Sequence, residues 1–138
     1  MTNMRTIKFR AYLKDINKMV QVNEINWYEN LDDKGNISSI RYAGETKYAH
    51  HYCEFDPDTV ILMQDTGYED MKGKEVYEGD IVRYYDDIYE VRWIWVGFYL
   101  RSIQDDGFDE LATTENFIEV IGNIYENPEL LETKKEKV

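Results

Sequence analysis

The constraint that acts first on this chain is a period of two. Ile7, Phe9, Ala11 and Leu13 alternate with Lys8, Arg10, Tyr12 and Lys14. In an extended strand, successive side chains point to opposite faces, so the first set faces a core and the second faces outward. The pattern recurs in short segments along the chain. Met19–Val22 can return antiparallel after a turn at Asp15-Ile16-Asn17-Lys18, where Asp and Asn bond their own backbone. Further strands are expected at Ile25–Tyr28, Ile37–Tyr42, Lys47–Phe55 and Val60–Met63. In the second half they are expected at Ile81–Tyr85, Tyr89–Trp95, Phe98–Ile103 and Phe117–Ile124. Turn residues separate them: Asp32–Asn36, Asp56–Asp58, Asp86-Asp87, Gly97 and the acidic loop Asp105–Glu110. Gly122 interrupts the last strand and marks a bulge or a close backbone approach. Asn127-Pro128-Glu129 has the form of a helix start, giving a short helix over Pro128–Glu132. Val91, Trp93 and Trp95 share one strand face and read as core.

The fold expected is therefore mainly β. Antiparallel meanders form a barrel-like or sandwich core, with an SH3-like C-terminal part and the short C-terminal helix. At 138 residues the chain is one unit of ordinary domain size. Within it an N-terminal β region covers 1–65, an SH3-like region 66–132 and a frayed tail 133–138. Thr66–Asp80, with Gly67, Gly73 and Gly79 among charged residues, reads as an ordered, turn-rich connection.

Composition excludes several classes. The net charge of −12 disfavours direct nucleic-acid binding, which needs a cationic face. That charge is uneven, because residues 66–138 hold 18 acidic and 8 basic residues. The 20 aromatic side chains argue against disorder. No apolar run is long enough for a signal segment or a membrane span, so a cytoplasmic location and no membrane partner are expected. The single Cys53 fits a reducing compartment.

One stretch is distinctive. Thr66-Gly67-Tyr68-Glu69-Asp70-Met71-Lys72-Gly73-Lys74-Glu75-Val76-Tyr77-Glu78-Gly79-Asp80-Ile81-Val82 resembles the signature of the YopX-like family of phage and prophage proteins of Gram-positive bacteria. Ile61–Gln64, the opening Arg5–Tyr12 and the closing Ile118–Leu131 are similar to that family too. Tyr68 and Met71 stand where the family form carries Leu and Lys. The resemblance implies a small, mainly β, cytoplasmic phage protein. It brings no catalytic motif and no site residues.

Tests for chemistry return little. His50, His51 and Cys53 offer three zinc ligands, with His51 and Cys53 sharing a face, but a structural zinc site uses four and the chain has no second His or Cys cluster. Cys53 then reads as a small hydrophobe. Gly67 to Lys74 is one residue too long for a phosphate loop, and Glu75 stands where Ser or Thr should hold magnesium. The acidic turns lack the ligand spacing of a calcium loop. We therefore expect no cofactor, no metal, no catalytic residues and no enzyme activity. The surplus tyrosines favour protein recognition. The expected interaction surface is Tyr84, Tyr85, Asp86, Asp87, Tyr89, Asp105 and Asp106, engaging a host or phage protein. Two alternatives are an acidic nucleic-acid mimic that blocks a host DNA-binding protein and a small-ligand or metal-binding protein. Exposed strand edges allow pairing into a homo-oligomer.

Overall fold

The computed structural model describes residues 7–28, 36–44, 50–94, 97–104 and 107–132. The expected turn residues 32–35, Trp95, Asp105, Asp106 and the tail from residue 133 lie outside them. The protein is mainly β. Its strands are β1 (Phe9–Leu13), β2 (Lys18–Trp27), β3 (Ile37–Ala43), β4 (His50–Glu54), β5 (Val60–Glu69), β6 (Glu75–Tyr77), β7 (Asp80–Tyr84), β8 (Asp87–Ile94), β9 (Gly97–Ser102), β10 (Phe108–Glu110) and β11 (Ile118–Asn123). One short helix, α1, covers Leu111–Thr114, and 3₁₀ turns cover Glu115–Phe117 and Pro128–Leu131. The strands form two sheets, ordered β4-β3-β2-β1-β5-β6 and β10-β9-β8-β7-β11. Each order ends in two edge strands, so the expected barrel does not close among the described residues. Closure needs the first and last strands of a sheet to pair. Here β10 has only three residues before the chain turns into α1.

Two compact units emerge. Lys8–Met63 is one; the chain from Gln64 onward, with Ile7, is the other. The first unit buries Ala11, Leu13, Val20, Ile40 and Val60 together. The β1–β2 hairpin sets this up by placing Ala11 opposite Val20, as the alternation requires. Tyr12 departs from its outward assignment: it is buried, and its hydroxyl donates to Asn17 Oδ1 at 3.1 Å. An amphipathic ring can be covered while its hydroxyl stays satisfied. The two expected strands Met19–Val22 and Ile25–Tyr28 are one strand, β2, with register shifts against β3. The second unit buries Val76, Val82, Val91, Leu100, Leu111 and Ile118, with Tyr68, Tyr84, Tyr89, Phe98 and Val120 packed against them.

Thr66–Asp80 is more regular than its sequence suggests. Strand β5 runs on to Glu69 and pairs with β6 through a register shift between Asp65 and Glu69. That irregularity erases the period-two signal. Asp65 Oδ1 accepts Gly67 N–H at 3.0 Å, and the Thr66 hydroxyl donates to the Val76 carbonyl at 2.7 Å. Gly67, Gly73 and Gly79 all have positive φ, consistent with the tight geometry expected of them.

Asp70 ties this segment to the far end of the chain. Its Oδ1 accepts the backbone N–H of Lys72 and of Lys74, each at 2.9 Å. Its Oδ2 accepts Val120 N–H at 2.9 Å. Met71 N–H donates to the Ile118 carbonyl alongside, also at 2.9 Å. On β11, the register shifts between Val120 and Gly122, where a bulge was expected. Gly122 also supplies a close approach: a Cβ there would lie 2.6 Å from Asn127 Oδ1. That Oδ1 accepts Asn123 N–H at 3.1 Å, so Asn127 fastens β11 and makes no side-chain cap on the turn that follows. The expected C-terminal helix is accordingly a 3₁₀ turn, Pro128–Leu131.

Burial pushes the Asp70 carboxyl up, but the N–H groups of Val120, Lys74 and Lys72, with the Lys74 charge, outweigh it and hold it below the usual range. Its contribution to stability is thus full above the ordinary Asp range and is lost as pH falls through the lower folded value. Asp70→Asn turns an amide NH₂ toward backbone donors. We expect it to cost about 1–3 kcal/mol in urea unfolding at pH 7. The gap from wild type should narrow as the pH drops below the usual carboxylate range, and a gap independent of pH would refute this account.

Candidate functional site

The β7–β8 connection brings together five of the seven expected surface residues. Tyr84 and Asp87 pair across the ladder, and Tyr85 and Asp86 form the turn. Tyr84 and Tyr89 are half-buried and rest on the second core. Their rings meet edge to face at 6.0 Å, and Tyr85 lies 4.6 Å from Tyr84. Tyr85 is 71% exposed at φ 56°, a backbone region that bulky residues rarely enter. Burial raises the Tyr84 hydroxyl, helped by Tyr85 and the nearby Asp109. Asp86 and Asp87 are exposed beside it. Asp105 and Asp106 lie outside the described residues.

At the other end of β8 the core opens into a cavity of about 470 Å³. The core reaches the cross-strand pair Val91 and Leu100 and gives way at the next pair, Trp93 and Phe98. Trp93 shares the face of Val91, yet it is 53% exposed and lines the cavity, which corrects its assignment to the core. Its ring meets Phe98 edge to face at 4.8 Å. Tyr68, Tyr99, Thr66, Gln64 and Glu110 line the same space, Glu110 standing across the β9–β10 ladder from Tyr99. Parity could not reveal this site. A strand face is core only where another element covers it, and coverage is a tertiary matter.

Glu90 is a perturbed acid elsewhere on β8. Burial raises its carboxyl against the pull of Arg92, whose Nε is 3.8 Å away, and of Arg101. Burial also raises the Tyr125 hydroxyl, as do Glu90 and Glu78.

The His–Cys stretch sits in the first unit. On β4, Cys53 lies opposite the buried Ile40 and packs against that core, and its thiol donates to the Glu54 carbonyl at 3.2 Å. His51 stacks on Tyr42 at 5.3 Å. Among the described residues, no three His, Cys, Asp or Glu side chains are placed to hold a metal ion. No helix among them is long and apolar enough to cross a membrane.

Comparison with known proteins places these features in context. The family model described as YopX protein matches residues 8–132. The crystal structure of protein EF1440 from Enterococcus faecalis is similar to this chain at 25% identity and a TM-score of 0.63, covering 94% of this chain and 100% of that one. No curated protein matches the chain.

Burial raises the Cys53 thiol, and Asp15 and Glu54 raise it further by opposing thiolate charge. We expect iodoacetamide to alkylate folded protein at pH 7.5 more slowly than the same chain in urea. A folded rate equal to or above the unfolded one would refute this account of Cys53.

Proposed function

Given that the chain belongs to the YopX family, we propose that it is a phage-encoded accessory protein of the host cytoplasm. It works without catalysis, as a module that binds a host or phage protein through the Tyr84–Tyr89 hairpin. The observation that carries this reading is Tyr85. A bulky, non-glycine residue in the left-handed region costs about 1–2 kcal/mol, and Gly or Asn would serve the turn better. Such a local cost at an exposed position is a mark of recognition sites. The ring is also pre-positioned. It leans on Tyr84, which is itself set against the core, so little side-chain freedom remains to be lost on binding. An exposed tyrosine followed by two exposed carboxylates suits a partner surface carrying apolar and cationic groups. The SH3-like likeness of residues 66–132 is an analogy of strand succession and supplies no function by itself.

The test separates binding from folding. Tyr85→Asn relieves the backbone cost, so its Tm should equal or exceed that of wild type. A photo-crosslinking residue at position 85, in cells carrying the phage, should capture one protein reproducibly. The purified complex should weaken about tenfold or more with Tyr85→Asn. Unchanged affinity in that variant would overturn the reading. A complex displaced by DNA and lost steeply with salt would instead make the protein a nucleic-acid mimic.

A further inference from the structure

We propose that the cavity beside Trp93 is a binding site for an organic cation, an ammonium or guanidinium group carried on an apolar body. Four aromatic residues, Tyr68, Trp93, Phe98 and Tyr99, line it together with Glu110, and among the described residues no Lys or Arg does. An aromatic face is negative at its centre and attracts a cation within about 6 Å, Trp most strongly. Trp93 is exposed at 53%, so indole surface is open to a ligand, and its edge-to-face contact with Phe98 at 4.8 Å fixes the ring. Glu110 supplies the counter-charge, and Gln64 and Thr66 add polar edges. The Thr66 hydroxyl is already engaged, donating to the Val76 carbonyl and accepting Tyr68 N–H at 3.2 Å, so it stiffens the wall that carries Tyr68.

Competing occupants fit less well. A phosphate or carboxylate would meet Glu110, and the described lining residues include no cation to offset it. A purely apolar ligand would make no use of the Glu110 charge. A volume of about 470 Å³ is in the range of small-ligand sites, which run from roughly 300 to 1,000 Å³. The same head group can come from a free small cation or from a Lys or Arg side chain of another protein. The inference does not depend on the hairpin tip docking a partner.

The experiment uses the full chain and follows the Trp93 indole N–H resonance, assigned with Trp93→Phe. Choline should shift it saturably. The uncharged isostere 3,3-dimethyl-1-butanol should bind about fivefold more weakly or worse, corresponding to a cation–π gain of about 1 kcal/mol. Glu110→Gln, an exposed and near-isosteric change, should weaken choline several-fold and leave the neutral isostere unaffected. Tyr85→Asn should leave both unchanged, which keeps this result separate from that of the hairpin. A capped Gly-Lys-Gly peptide that binds more tightly than choline would identify a protein side chain as the natural source. Tighter choline would identify a free cation. Equal binding of choline and its isostere, or no saturable shift with any probe, would overturn the proposal.

Discussion

One carboxylate joins parts of the second unit that lie 50 residues apart. Asp70 is 6% exposed and receives backbone N–H groups from Lys72, Lys74 and Val120. Buried backbone donors must find acceptors, and an ionised carboxylate offers more lone pairs than an amide. The turn after β5 and the edge strand β11 are thereby satisfied by one side chain. Gly73 completes the arrangement at φ +81°, donating its own N–H to the Asp70 carbonyl at 3.0 Å. The exposed Lys72–Glu119 and Arg83–Glu119 pairs nearby add little, because solvent screens them.

This changes what the acidity of the chain means. Read by composition, the excess of acids after residue 65 is a property of the surface. Part of it is internal. Asp70 and Asp80, like Asp65 just before that half, are buried, and each accepts a backbone N–H: those of Lys72, Lys74 and Val120, of Tyr77, and of Gly67. These acids substitute for missing ladder bonds where the backbone turns sharply. The charge left to the surface includes Asp86, Asp87 and Glu110, which belong to the two candidate sites.

Those two sites stand at opposite ends of β8. Trp93 lies six residue steps beyond Asp87, or about 20 Å of extended chain. A single strand thus presents a tyrosine turn at its start and an aromatic cavity near its end. Val91 between them, 1% exposed, anchors both to one core. Rigid strands hold such groups more accurately than loops do.

The alternation Ile7 to Leu13, the meander from Ile81 to Ser102 and the bulge at Gly122 were legible from residue order, because period and turn chemistry are local. The Tyr–Asp hairpin was legible for the same reason: its members are neighbours in sequence. Tyr12 was misassigned because burial of an amphipathic ring depends on what covers it. The pairing of β5 with β6 was hidden by the irregularity around Gly67, which breaks the period that parity relies on. Asn127 matched a helix cap in sequence, yet its oxygen went to Asn123, since the close approach at Gly122 put that donor within reach. Trp93 and Glu110 became neighbours of one cavity only through the ladders joining β8, β9 and β10. By itself the sequence determined the strand class, the hairpin turns near Asp15–Lys18 and Asp86-Asp87 and the family of this protein, all of which rest on local patterns. Only the tertiary structure decided which acids are buried and where the core opens, because both depend on what long-range packing brings over a given face.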